Sequence, residues 1–330
     1  MKKRMMILLA SMVLVGFCSP SFAGEQGDGC MYKGPKPTGQ VNMSNGGVYA
    51  KGKLGIILKT KYFKKDDIYN GSDSRSDYTG SAPGTGCREQ ERWVTQLTIR
   101  YGLFDNMDVR VMVPYWQKNM VRGMMKSGTL TQVDSSNDGF GDMVLMGRYK
   151  LMSQKKGNPF NLALGAGIKI PTGDTDELDD AKTNGSCFGS GFQSGTGSWD
   201  PKVEIAANRM ILNWRMDATV MATFPTEGDL DYEYGNKIQY NLGSSVAVSN
   251  WLDLQLEYNG IWKDNSEDNG DTVDSSGGHW GYITPGFHIK FSRKPNIHLD
   301  FGVPILVFKD LNGEQLAEDY QFVAKLAVKF

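Results

Sequence analysis

Apolar and polar residues alternate along most of this chain, and the last eleven residues show the pattern best. Tyr320, Phe322, Ala324, Leu326, Val328 and Phe330 fall on one side; Gln321, Val323, Lys325, Ala327 and Lys329 fall on the other. Period two with one apolar face specifies a β-strand. Twelve such runs are predicted, at 48–63, 93–103, 107–117, 142–151, 160–171, 202–211, 214–224, 237–248, 252–262, 281–291, 297–308 and 320–330. Most reach the roughly nine to eleven residues a tilted strand needs to cross a bilayer. Their connections alternate: short at 104–106, 152–159, 212–213, 249–251 and 292–296, long at 64–92, 118–141, 172–201, 225–236, 263–280 and 309–319. Short turns on one side and long loops on the other belong to an up-and-down barrel. The expected fold is therefore all-β: a transmembrane antiparallel barrel of about 12 strands over residues 48–330, with the C-terminal Phe strand closing onto the first strand.

A soluble sandwich also alternates, but turns its apolar face inward. Here Trp93, Tyr101, Tyr115, Tyr149, Trp214, Phe224, Tyr258, Trp262, Phe291, Tyr320 and Phe330 gather at strand ends, as interfacial girdles do. Pro114, Pro285 and Pro304 fall inside predicted strands, where each removes a ladder donor. Bulges near the rim are the plain expectation; a break in the wall releasing solute sideways is the alternative.

The two ends specify export. Lys2, Lys3 and Arg4 precede an apolar run over 5–17, and Ser21-Phe22-Ala23 supplies a cleavage site. Residues 1–23 read as a signal peptide, so the mature chain is expected to begin at Gly24. The C-terminal strand resembles the insertion signal of Gram-negative outer-membrane proteins. That resemblance implies an outer-membrane location, with lipid, lipopolysaccharide and the barrel-insertion machinery as partners. Residues 24–47, rich in Gly, Pro and polar residues, read as a periplasmic leader, with a small lumenal plug as the alternative.

Composition narrows the function. The mean hydropathy of −0.40 is polar for a membrane protein but fits a barrel, whose strands turn half their residues to water. A net charge of −1 excludes a basic nucleic-acid footprint. Cys30, Cys87 and Cys187 remain after the signal, with no CxxC or CxxCH, so no metal centre, haem or other cofactor is expected. Cys87 and Cys187 lie in two external loops and are expected to bridge, leaving Cys30 free.

Taking the polar faces as lumenal gives Lys51, Lys53, Lys59, Lys61, Arg100, Arg110, Arg148, Lys150, Lys169, Lys202, Arg215, Lys237, Lys290, Lys325 and Lys329 against Asp108, Asp142, Glu204, Asp217, Asp253, Glu257 and Asp300. Fifteen cations against seven anions make a basic interior that favours anions if open. Arg100, Arg110 and Arg148 with Asp108, Asp142 and Asp217 are the expected central network. Twelve strands make a narrow barrel, and the pattern leaves an open pore and a plugged one equally admissible. The long loops are acidic: Asp174, Asp176, Glu177, Asp179 and Asp180 crowd one, and Glu227, Asp229, Asp231 and Glu233 the next. A solvated rim is the plain reading.

Three segments carry a family resemblance: Gly139-Phe140-Gly141-Asp142 leading into Gly147-Arg148-Tyr149, the stretch 165–174 with Pro171-Thr172-Gly173-Asp174, and Gly195-Thr196-Gly197-Ser198-Trp199-Asp200. In order and spacing they resemble the outer-membrane transporter family named after the phenol meta-cleavage pathway. That resemblance implies a porin-like barrel for uptake of small hydrophobic or aromatic solutes. Two other functions compete with a channel. One is a phospholipase-like hydrolase using His288 near Ser292 and Asp300, although no GxSxG elbow is present. The other is a structural or adhesive barrel acting through its acidic loops.

Overall fold

The structure is a computed structural model that describes residues 34–330 apart from 45, 80, 82–84, 180–186 and 294. The signal peptide, residues 24–33 with Cys30, and Asp180 lie outside the described residues. Twelve wall strands follow in chain order: β1 (Leu54–Lys65), β2 (Gly86–Phe104), β3 (Met107–Lys126), β4 (Thr129–Phe140 and, after a bulge, Met143–Met152), β5 (Asn161–Ile170), β6 (Asp200–Ile211), β7 (Trp214–Thr223), β8 (Lys237–Ala247), β9 (Leu252–Lys263), β10 (Gly278–Arg293), β11 (Asn296–Gly302 continuing as Ile305–Ala317) and β12 (Gln321–Lys329). Each pairs antiparallel with its sequence neighbour, and β12 closes onto β1 from Gly55–Lys329 to Phe63–Gln321. Among the described residues no helix is long and apolar enough to cross a membrane.

Side-chain chemistry fixes which face is which. Leu97, Ile99, Leu145, Val203, Ile205, Leu254 and Leu256 are exposed on the outer surface, whereas Arg148, Asp108, Asp217, Asp253, His288 and Asp300 are almost completely buried inside. Each Leu or Ile moved from water into hydrocarbon contributes roughly 1.5–3 kcal/mol, while an Arg or Lys at mid-bilayer on the lipid face costs about 2–4 kcal/mol. A one-residue register slip would exchange the two faces on every strand, so the register is strongly specified.

The wall is uneven in height. β2 and β3 run 19 and 20 residues, about twice what a membrane crossing needs. With β4's first segment they form a ribbon beyond the loop-side rim, where long external loops were expected. The first strand is shorter than expected: it starts at Leu54, because Gly52 (φ +74°) makes a tight turn whose N–H donates to Gly102 O at 2.9 Å. Residues 67–71 continue β1 outward; β11 reverses, so that residues 305–311 pair with β10 and 314–317 with 67–70.

The three strand prolines mark irregularities, not gaps. Pro114 faces the β4 bulge, and Gly141 N donates to its carbonyl at 2.9 Å. Around Pro304 the pairing is continuous. Gly302 opposes Gly286 and Val323, and Ile305 opposes Ile283 and Tyr320 in the same registers. Val303 N donates to Pro285 O at 3.1 Å and Gln321 N to Pro304 O at 2.8 Å. The sideways exit considered there is thus corrected to an intact wall, because Pro304 lacks only its own N–H.

Candidate functional site

The lumen is built from alternate residues of every strand. Toward the short-turn rim, which is periplasmic in a barrel of this kind, charges pair closely. Arg100 meets Asp108 at 2.6 Å, Arg110 and Arg148 both reach Glu204 at 2.7 and 2.8 Å, and Arg215 meets Asp217 at 2.7 Å. Lys290 pairs with Asp253 at 2.5 Å and Lys325 with Asp300 at 3.3 Å. The expected arginine trio does assemble, but around Asp108 and Glu204. Asp217 is taken by Arg215, its neighbour two residues along the same strand face, and Asp142 lies nearer the outer mouth beside Lys169. Lys51 and Lys53 do not line the wall: the Gly52 turn leaves both exposed at the rim. Lys150 donates to Asp105 O at 3.0 Å in the adjacent turn, and Lys329 lies over the Tyr49 ring at 4.3 Å.

Residues 34–44 and 46–49 run inside the barrel. Thr38 donates through both its N–H and its hydroxyl to Asp253 Oδ2, each at 2.9 Å, and Val41 N donates to Glu257 Oε1 at 2.7 Å. Lys325 Nζ donates to Gln40 O at 2.6 Å, and Lys59 Nζ to Asn42 Oδ1 at 3.1 Å. Ser44 accepts from Arg110 at 2.8 Å and, through its carbonyl, from Thr219 Oγ1 at 2.8 Å. Arg148 donates to Gly47 O at 3.1 Å, and Tyr49 N to Asp108 Oδ2 at 2.7 Å. The segment rises from Lys36, held by Lys290 at 2.9 Å, and descends again to Tyr49. It needs no secondary structure of its own, because the wall's carboxylates, lysines and hydroxyls satisfy its backbone. The leader reading is therefore corrected for residues 34–44, 46 and 47. Sequence reasoning missed Gln40, Ser44, Thr219 and Gln255 as contact residues; they are neutral, so a list drawn from charges passes over them.

A second obstruction lies at the outer mouth. The three motif segments meet there around Asp142. Its Oδ1 accepts from Gly173 N at 3.1 Å; its Oδ2 accepts from Thr196 N at 3.1 Å and Thr196 Oγ1 at 2.6 Å. Lys169 bridges Asp142 and Asp200 at 3.0 and 2.9 Å, and Ser198 Oγ donates to Asp200 at 2.8 Å. The glycines serve close approach, since a Cβ on Gly195 would stand 2.2 Å from Gly173 O. This node folds the loop after β5 inward. Lys118 donates to Gln193 O at 2.5 Å, Asn137 to Phe192 O at 2.8 Å, and Tyr234 to Ser190 O at 2.9 Å. Burial raises the phenol pKa of Tyr234, in the loop between β7 and β8, above its ordinary value.

Cys87 and Cys187 are both free, so the expected bridge is not formed. Cys87 packs against Met120, Phe188 and Phe192, while the Cys187 thiol is directed at Asp176 O, 3.6 Å away. His288 and His298 do meet across the β10–β11 hairpin, with ring centroids 4.5 Å apart, and His288 Nδ1 lies 2.7 Å from Asp300. Among the described residues the buried His288 Nε2 has no hydrogen-bond partner, hydroxyl or otherwise.

Among solved structures, an outer-membrane channel from Pseudomonas putida F1 superposes with a TM-score of 0.64 at 14% identity, covering 88% of this chain and 100% of that one. The P. putida toluene transporter TodX gives 0.45 at 11% identity, over 86% of this chain and 91% of that one. A Pseudomonas aeruginosa FadL homologue gives 0.44 at 10% identity, over 84% and 90%. No curated protein sequence matches the chain. The first of these likenesses shows the barrel fold. The sequence itself matches, over residues 89–307, the family described as putative MetA-pathway of phenol degradation, and the chain belongs to that family.

Proposed function

We propose that this chain is an outer-membrane channel for the passive uptake of small solutes, with hydrophobic and aromatic compounds as its cargo. The observation that carries the reading is the wall itself: a closed twelve-strand barrel, apolar outside and charged within, whose lumen is occupied by residues 34–44 and 46–49 and not by a packed core. Small barrels filled by side chains have no space for a separate segment. A segment held by hydrogen bonds, without an apolar core, is the kind of filling that yields to a solute. The family's connection with phenol degradation supports an aromatic cargo. In this reading lipid and lipopolysaccharide surround the wall and its acidic loops, and the C-terminal strand engages the insertion machinery.

Planar-bilayer recording and solute uptake by proteoliposomes test the proposal. The expected result is a small, discrete conductance and faster entry of phenol and toluene than into protein-free liposomes. A barrel that folds, inserts and passes neither ions nor any aromatic solute would overturn it and favour action through the loops.

A further inference from the structure

We infer that the outer half of the lumen is a binding station for amphipathic organic anions, with an aromatic monocarboxylate as the ligand class. The inference rests on the channel reading for access to the site, but its chemistry is separate. Lys202 pairs in register with Thr223, Thr223 with Lys237, and Lys237 with Lys263. Three lysines therefore stand in one row on the inner faces of β6, β8 and β9, across about 14 Å at 4.8 Å per strand. Lys202 Nζ donates to Thr223 Oγ1 at 2.9 Å, and Lys263 Nζ to Ser266 Oγ at 3.1 Å while lying 4.9 Å from the Tyr234 ring centroid. On β1, Lys61 lies 5.4 Å from the Phe63 ring centroid. Among the described residues, no carboxylate stands within salt-bridge distance of Lys61, Lys202, Lys237 or Lys263. Other cations at this level do have one: Lys169 holds Asp142 and Asp200, and Lys65 holds Glu318 at 3.5 Å.

The layer beneath the row is mixed: Glu204 lies under Lys202, already held by Arg110 and Arg148, and Gln239 lies under Lys237, while its β7, β9 and β10 positions are apolar. Met221 precedes Thr223 by two on β7, Ile261 precedes Lys263 by two on β9, and Trp280 opposes Ile261. All three thus share the lysines' face. The lumenal segment stops below the row: its uppermost contact on β7 is Thr219, four residues or roughly 13 Å along the strand below Thr223, and on β6 Ser44 reaches Glu204, two residues below Lys202. The inward-folded loop lies above, through Tyr234 and the Asp142 node.

Ammonium groups gathered in a lumen without a directly paired carboxylate are costly, and a carboxylate entering among them relieves the cost. A neutral hydrocarbon gains nothing from the lysines. A small hydrophilic anion gains nothing from Met221, Ile261 and Trp280. A ligand with a charged head and an apolar ring uses both layers.

Calorimetry on the full chain in detergent micelles separates these classes, with benzoate, benzyl alcohol and acetate as probes. Benzoate is expected to bind at least tenfold more tightly than either. Replacing the row with Lys202→Met, Lys237→Met and Lys263→Met should abolish that preference, and the triple Lys→Arg variant should keep it. Heat-modifiable gel mobility verifies that each variant is folded. Equal binding of benzoate and benzyl alcohol, or benzoate binding unchanged in the folded Met variant, would overturn the station. Bilayer recording on the same samples keeps the two readings apart. Lysine-dependent benzoate binding without conductance leaves the station and removes the channel. Conductance without benzoate binding does the reverse.

Discussion

In the periplasmic half of the lumen, buried carboxylates are matched by cations of the wall: Asp108 by Arg100, Glu204 by Arg110 and Arg148, Asp217 by Arg215, Asp253 by Lys290 and Asp300 by Lys325. In the outer half Lys202, Lys237 and Lys263 share a row with neutral partners only. Both halves descend from the same alternating strands. The difference lies in what faces them. The inner half binds a peptide segment, whose N–H and C=O groups call for both signs of charge. The outer half faces a loop anchored on backbone carbonyls and on Asp142, which leaves Lys202, Lys237 and Lys263 without a carboxylate partner.

Deleting residues 34–47 should have the largest effect, because it removes the filling and spares the wall. Single-channel conductance is expected to rise several-fold while the barrel stays heat-modifiable; an unchanged conductance would place the constriction at the outer loop instead. Gly195→Val attacks that loop, forcing a side chain onto Gly173 O. It should raise conductance less than the deletion does, and should shorten protection of the 187–199 backbone in hydrogen exchange.

The next two changes oppose the halves in stability. Glu204→Ala strands Arg110 and Arg148 without their shared carboxylate and should cost on the order of 3 kcal/mol in urea unfolding from vesicles. Lys237→Ala removes one member of a repelling row, so stability should hold or rise within about 1 kcal/mol. A destabilisation by Lys237→Ala equal to that by Glu204→Ala would erase the distinction between the halves. Least affected of all, Cys87 and Cys187 should titrate as thiols without reductant, and Cys187→Ser should leave stability within about 0.5 kcal/mol.

The membrane-spanning fold was legible wherever lipid imposes alternation, and all twelve predicted runs correspond to wall strands. Residues 129–140 and 86–92 were read as loop, because beyond the bilayer a strand needs no apolar face. Thr129–Phe140, with Asp134, Ser135, Ser136, Asn137 and Asp138, carries no period-two signal at all. The lumen was legible in part. Parity along the strands placed Arg100, Arg110, Arg148, Glu204 and Asp300 inside, but it says nothing about partners across the lumen. Glu204 meets Arg110 across 94 positions of sequence, and Asp142 meets Thr196 across 54. Residues 34–44 and 46–49 gave no signal either, since their conformation is set by the wall and not by their own periodicity. The motif glycines entered only through the family resemblance; their contacts show a physical demand, the close packing of residues 141, 173 and 195.

The lumenal segment begins and ends near the same rim, with Lys36 beside Lys290 and Tyr49 beside Asp108. No ladder bond between wall strands passes through it, and none of its contacts is covalent. It can therefore be drawn out through the periplasmic mouth while all twelve strand pairings stay intact. The barrel and this filling are mechanically independent, and emptying the periplasmic half asks only for the free energy of hydrogen bonds and ion contacts that water in the emptied lumen would largely replace.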